Sequence, residues 1–326
     1  MMSNDSFKKI GNVLNEGNSI LIFPHINGDG DAIGSAVALC RALRKIGKTS
    51  YILTEDKIPQ NLQFLIKDYV TEDFTAVESP DICICVDCGD FSRFPKRKDK
   101  FLSGKLKVCI DHHRTSEPFC DYNYIDPKAA ATGELIYRLL VAMEIEFDKE
   151  IGEALFAAIT TDTGNFQYSN TTKETHEIVA KLYDTGIDAN RVSVELYERV
   201  SPEKIKLESE ILSNLKISDD GKLAIGFVSR KMLGETGAKP EDSEGTVSQI
   251  RSIDGVEIAV LIKEKEDFLC KASLRGKCYA DVSKIAEVYQ GGGHTKAAGC
   301  TLHMALEEAI GAIEKKALEI LSEYAG

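Results

Sequence analysis

The sequence has no tryptophan, few aromatic residues of any kind (7%), and only six histidines in 326 residues, so the place of each histidine carries weight. It has no bias toward Pro or Gly, with 8 and 25 of them, which excludes collagenous and low-complexity classes. No apolar run approaches the roughly 18 to 20 residues of a membrane span. The opening MMSNDSFKKIGNV offers neither an h-region nor a small-residue cleavage site. A cytoplasmic protein without a membrane partner is expected. Basic charge is also short: 40 Lys and Arg against 52 Asp and Glu leave a net charge of −12. Proteins that coat long nucleic acid neutralise many phosphates with cations, so that class is excluded, whereas a small anion held by a few local basic groups is not.

What is present describes an ordinary globular protein. The length exceeds that of a usual single domain, and 43% hydrophobic residues suffice for two cores. Nine cysteines, an odd number, lie mostly inside apolar runs and read as reduced, buried thiols. The spacing Cys83, Cys85, Cys88 suggests a zinc site, but side chains alternate along a strand and at least two of the three are expected to diverge. Cys85 and Cys88 also have redox-motif spacing, though a strand end is the wrong setting for one.

The first half alternates apolar runs with amphipathic stretches, the rhythm of parallel strands crossed by helices. The runs are SILIF (19–23), 51–53, ICICV (82–86) and 108–110, with a helical pattern over 32–45. Helices are expected at 151–158, 173–184 and 202–215. Beyond them, strands at 223–228, 256–262 and 268–274 accompany helices at 246–251, 283–289 and 306–324. The expected fold is α/β: a parallel-sheet domain over 1–190, a helical linker over 191–217, and a smaller mixed α/β domain over 218–326.

Ligands of parallel α/β sheets bind at the carboxyl ends of strands. The residues that follow the apolar runs are therefore informative: His25 to Asp31 (HINGDGD), Asp87 to Asp90 (DCGD), Asp111-His112-His113, and Thr161 to Gly164 (TDTG). Each is ordinary alone, since Asp is favoured in turns and caps and a lone buried His is usually a core residue. A dinucleotide-binding reading of Gly28, Gly30 and Gly34 conflicts with Asp29 and Asp31, which repel phosphate unless a cation intervenes. Carboxylates mixed with imidazoles favour Mn²⁺ over Mg²⁺ or Co²⁺. A pair of ions roughly 3.5 to 4 Å apart needs about six or seven ligands and activates a water for in-line attack on phosphorus. His25, Asp29, Asp31, Asp87, His112 and Asp162 make that number.

These motifs, in this order, resemble the DHH phosphoesterases, whose tripeptide stands here as Asp111-His112-His113. SLRGK followed by GGGHTKAAG resembles the C-terminal domain associated with that family, so the likeness spans nearly the whole chain, most of all to its NrnA-like branch. The resemblance implies that His25 and Asp29 bind one ion, that Asp31, His112 and Asp162 bind the other, and that Asp87 bridges them. It implies that His113 faces the scissile phosphate, with Asp111 orienting the neighbouring imidazole. Arg275, Gly291, Gly292, Gly293 and His294 are implied as a clamp for a distal phosphate or nucleotide. Two departures stand out: Gly28 replaces a common Pro, and Gly276 replaces a Ser after the Arg.

The expected activity is hydrolysis of short oligoribonucleotides to 5′-mononucleotides, together with dephosphorylation of 3′-phosphoadenosine 5′-phosphate. A cleft between the domains would limit substrate length. The alternatives are a cyclic-dinucleotide phosphodiesterase, an inorganic pyrophosphatase and a catalytically silent nucleotide-binding protein. Homodimerisation is left open.

Overall fold

The computed structural model describes residues 4–324. The chain divides into two compact units between Arg199 and Val200.

The first unit runs α1 (Phe7–Glu16), β1 (Ser19–Phe23), α2 (Gly30–Lys45), β2 (Thr49–Leu53), β3 (Val70–Thr71), β4 (Ile82–Val86), α3 (Lys98–Leu102), β5 (Leu106–Asp111), β6 (Tyr122–Ile125), α4 (Thr132–Ala142), α5 (Lys149–Asp162), α6 (Lys173–Tyr183) and α7 (Ala189–Tyr197). Its strands form one parallel sheet in the order β3-β2-β1-β4-β5-β6. Both faces are covered, which explains why the strands read as continuous apolar runs. Ile20 and Ile22 of β1 point into a core shared with Ala36, Leu39 and Leu155, while Leu21 and Phe23 point into another with Phe94 and Phe101.

The expected divergence of Cys83, Cys85 and Cys88 is not found. All three sit in that second core: Cys83 and Cys85 because residues two apart on a strand share a face, and Cys88 because it lies past the strand end, after the left-handed turn at Asp87. They are free, buried thiols, and no group of three metal donors among the described residues includes a cysteine.

Glycines let α2 lie directly on α5. A Cβ at Gly34 would come within 2.5 Å of the Ala154 carbonyl oxygen, and one at Gly30 within 2.4 Å of the Thr161 side chain. This close helix contact, and not a pyrophosphate cradle, accounts for their spacing.

The second unit runs α8 (Pro202–Ser213), β7 (Lys216–Ile217), β8 (Leu223–Val228), α9 (Arg230–Thr236), α10 (Thr246–Ser252), β9 (Ile258–Glu266), β10 (Leu269–Gly276), α11 (Ser283–Val288), β11 (Gly292–His294), β12 (Ala297–Leu302) and α12 (Leu306–Ser322). Its mixed sheet has the order β11-β12-β10-β9-β8-β7, with β8 and β9 parallel and the other neighbours antiparallel. Ile285, Ile313 and Ile320 of α11 and α12 pack on one face, against Ala272, Leu274 and Cys300. Leu207 and Ile211 of α8 and Ile250 of α10 pack on the other, against Ala259 and Leu261. Of the stretch expected as a linker, α7 lies in the first unit and α8 is part of the core of the second. Among the described residues no helix is long and apolar enough to cross a membrane.

Candidate active site

The strand order of the first sheet reverses between β1 and β4, so the connections that leave their carboxyl ends part to opposite sides and open a crevice. His25 follows β1, Asp87 follows β4, and Asp111 ends β5. The fold thus gathers residues that are far apart in sequence.

His25 is buried, and its Nδ1 lies 2.7 Å from the Ile26 carbonyl oxygen. That contact turns Nε2 inward, 3.7 Å from Asp29 Oδ2 and 3.4 Å from Asp87 Oδ2. Asp29 caps α2: its Oδ1 accepts from the N–H groups of Asp31 and Ala32 at 3.1 and 3.0 Å. The cap occupies one oxygen and leaves the other toward His25, so one carboxylate caps the helix and still offers an oxygen to the site.

Asp31 has no solvent exposure. Its Oδ1 accepts from Ser35 Oγ at 3.1 Å and from the Gly133 N–H at 2.9 Å, and its Oδ2 accepts from the Thr132 N–H at 2.6 Å. Asp87 adopts a left-handed backbone (φ 56°), uncommon for a residue with a side chain, although Asp is among those that tolerate it best. Its Oδ1 lies 3.6 Å from both His112 Nε2 and His113 Nδ1. The two oxygens of one carboxylate therefore face different histidines, Oδ2 toward His25 and Oδ1 toward His112 and His113.

His112 Nδ1 lies 3.2 Å from the Ala129 carbonyl oxygen, which leaves Nε2 for Asp162 at 3.2 Å and Asp31 at 3.7 Å. Asp162 is the last residue of α5, and Asn170 Nδ2 donates to its carbonyl at 3.1 Å. His113 Nδ1 meets Asp111 Oδ1 at 2.7 Å, and Ser116 Oγ donates to Asp111 Oδ2.

In the second unit, Arg275 pairs with Ala297 and Ala297 with His294, so Arg275 and His294 lie on one face of three adjacent strands. The triple glycine is the edge strand β11 and its approach, not a free loop. A Cβ at Gly291 would lie 2.3 Å from the Gly299 carbonyl oxygen, and Gly293 (φ 143°) would bring one within 2.5 Å of the Ala297 oxygen. Gly292 and His294 remain exposed. Lys296 donates to the Ala280 carbonyl at 3.1 Å. Beside these residues opens a cavity of about 690 Å³, lined in part by Lys271, Ser273, Gly291, Thr301 and His303. The departure at Gly276 has a steric reason: a Cβ there would stand 2.7 Å from the Ala280 carbonyl oxygen.

Comparison with known proteins matches residues 19–159 to the DHH family, N-terminal domain, and residues 220–323 to the DHHA1 domain. A protein of Thermus thermophilus, the bifunctional oligoribonuclease and PAP phosphatase NrnA, is 32% identical over 87% of this chain and 84% of its own length. The chain belongs to the DHH family. NrnA of Bacillus subtilis is 26% identical over 87% of this chain and 90% of its own length. The crystal structure of an exopolyphosphatase-related protein from Bacteroides fragilis superposes with a TM-score of 0.88 at 26% identity, covering 95% of this chain and 94% of that one. The expected α/β fold and the expected phosphoesterase family both hold.

Three donor groups in this DHH domain have ligand atoms within 4.8 Å of one another: His25, Asp29 and Asp87; Asp31, His112 and Asp162; and Asp87, His112 and His113. Their electrostatics fit divalent cations. Burial, followed by the charges of Asp87, Asp162 and Asp29, pushes the Asp31 carboxyl well above its usual range. Burial, aided by Asp87 and Asp29, pushes Asp162 up to about 6. Burial opposes protonation of His25, but hydrogen bonds with Asp29 and Asp87 outweigh it and lift its pKa to about 10. Crowded carboxylates of this kind call for positive charge, and a metal ion supplies it.

Sequence reasoning missed three contributors: Thr132 and Gly133, which begin α4 against Asp31 and Asp87, and Ser116, which holds Asp111. Thr followed by Gly at a helix start reads only as a cap, and Ser116 follows the DHH tripeptide in a polar turn without pattern.

Proposed function

We propose that this DHH protein is a two-metal phosphoesterase that cuts short oligoribonucleotides to 5′-mononucleotides and removes the 3′-phosphate of 3′-phosphoadenosine 5′-phosphate. The observation that carries the reading is the Asp87 carboxylate, whose oxygens face two separate donor groups. The names of the Thermus and Bacillus relatives support the substrate class.

In this reading His25 and Asp29 hold one cation, Asp31, His112 and Asp162 hold the other, and Asp87 is shared. Four carboxylates with two imidazoles suit Mn²⁺ best. When bound, such a pair supplies an activated water and offsets the charge that builds on phosphorus. His113 presents Nε2 to the substrate, because Nδ1 is engaged by Asp111. The Asp111 hydrogen bond raises the His113 pKa against the opposing effect of burial, which favours the imidazolium. A charged imidazole there stabilises the phosphoryl oxygens or delivers a proton to the leaving oxygen. In the DHHA1 domain, Arg275, the backbone of Gly291, Gly292 and Gly293, and His294 grip a substrate phosphate.

The test is release of mononucleotide from 5′-phosphorylated diadenylate with Mn²⁺, Mg²⁺ or a chelator, beside Asp87→Ala. Turnover that needs a divalent cation and vanishes in the variant is expected. Failure to cut the dinucleotide while pyrophosphate or a cyclic dinucleotide is cut would overturn the substrate assignment.

A further inference from the structure

Helix α4 begins without a side-chain cap of its own, since Ala131 occupies the N-cap position. A helix start leaves backbone N–H groups in need of acceptors and favours negative charge. Asp31, from α2, meets that need by accepting from the N–H groups of Thr132 and Gly133 at 2.6 and 2.9 Å. Gly133 makes the approach sterically possible: a Cβ there would stand 2.7 Å from Ala158 Cβ.

The Thr132 hydroxyl is thereby free for another task. It donates to Asp87 Oδ1 at 2.8 Å and is fully buried. One residue thus touches two carboxylates from different elements, Asp31 through its backbone and Asp87 through its side chain. A carboxylate turns about its Cβ–Cγ bond over a broad, shallow range. One strong donor to Oδ1 fixes that rotation. It sets Oδ1 toward His112 and Oδ2 toward His25.

We infer that Thr132 is a positioning residue for the metal centre, its hydroxyl locking the Asp87 carboxylate in the orientation that lets it serve both donor groups. The inference rests on the reading of Asp87 as the shared ligand. Partners that orient a metal ligand typically change metal affinity 10- to 100-fold, roughly, when removed. Thr132 also explains how a residue with left-handed φ keeps one side-chain orientation: the hydroxyl, not the backbone, decides which way the carboxylate turns.

The experiment measures Mn²⁺ binding by calorimetry, and the spin coupling between bound ions by electron paramagnetic resonance, on wild type, Thr132→Val, Thr132→Ser and Thr132→Ala. Melting curves of the metal-free proteins report folding. Threonine differs from valine, and serine from alanine, chiefly by the hydroxyl, so two independent pairs isolate it even if one variant fails to fold. The expected result is Mn²⁺ affinity about 10- to 100-fold weaker in Val and Ala than in Thr and Ser, with weakened coupling between the ions. Val binding like Thr, or Ala like Ser, would overturn the role of the hydroxyl while leaving the two-metal reading intact. Wild type that binds no Mn²⁺ would overturn both.

Discussion

Asp87 turns Oδ2 toward His25, 3.4 Å from Nε2, while holding a left-handed φ of 56°. For a non-glycine residue that backbone costs on the order of 1 to 2 kcal/mol. Asp87→Asn keeps the shape but removes the charge on the proposed shared ligand. Its turnover is expected to fall by at least about 10²-fold, the upper end of what outer partners of a ligand bring. Steady-state rates at saturating Mn²⁺, with a metal titration, check this.

Stripping the metal exposes the carboxylates to one another. The folded pKa of Asp162, about 6, lies above its usual 3.8, so its ionised form opposes folding, fully above pH 6 and not at all below 3.8. His25, raised to about 10 from 6.5, acts in the same sense, because its stabilising charge is lost as pH rises toward 10. The chelated protein is therefore expected to melt higher at pH 5 than at pH 8. Saturating Mn²⁺ should raise the melting temperature and reduce that dependence, with about 2.7 kcal/mol gained at a hundredfold excess over Kd. Melting curves at both pH values, with and without metal, decide it.

Asp81 stands just before β4 and holds the start of β1. Lys105 foremost, then the N–H groups of Asn18 and Ser19, keep its carboxyl well below the usual range. A depressed carboxylate stabilises the fold above its ordinary pKa of 3.8, and the gain is lost as pH falls through the folded value. Asp81→Asn, whose amide oxygen still accepts from the Asn18 and Ser19 N–H groups, removes the charge that pairs with Lys105 and should lower stability at pH 7 by about 1 kcal/mol or less. The gap to wild type should narrow below pH 3.8, as urea titrations at pH 7, 5 and 3 would show.

Gly34→Val drives a branched side chain into the contact of α2 with α5, where even a Cβ meets the Ala154 oxygen at 2.5 Å. Overpacking of this kind costs roughly 1 to 3 kcal/mol. Because α2 begins and α5 ends at proposed ligands, the variant should also bind Mn²⁺ more weakly, which calorimetry reads directly.

The residues of the candidate site were legible because parallel strands place polar residues directly after apolar runs, and because histidine is rare in this chain. The buried strands were legible for the same reason. Less legible were contacts that depend on tertiary approach. Thr132 joins Asp87 across 45 positions, and nothing local marks it. The glycine run before His294 looks like a loose turn in sequence, yet those glycines allow an edge strand to press against β12. The helix over 202–213 is polar enough to pass for a connector, and only Leu207 and Ile211, one turn apart, bind it to the second core. Cys83 and Cys85 share a face by the strand period, and Cys88 joins them because β4 ends at Val86 and the chain turns at Asp87, which the expectation of divergence overlooked.

The most direct test of the account is anomalous diffraction at the manganese edge from crystals grown with Mn²⁺. Two peaks roughly 3.5 to 4 Å apart are expected, one against His25 and Asp29, the other against Asp31, His112 and Asp162, both in contact with Asp87. A single peak, or two peaks that do not share Asp87, would contradict it.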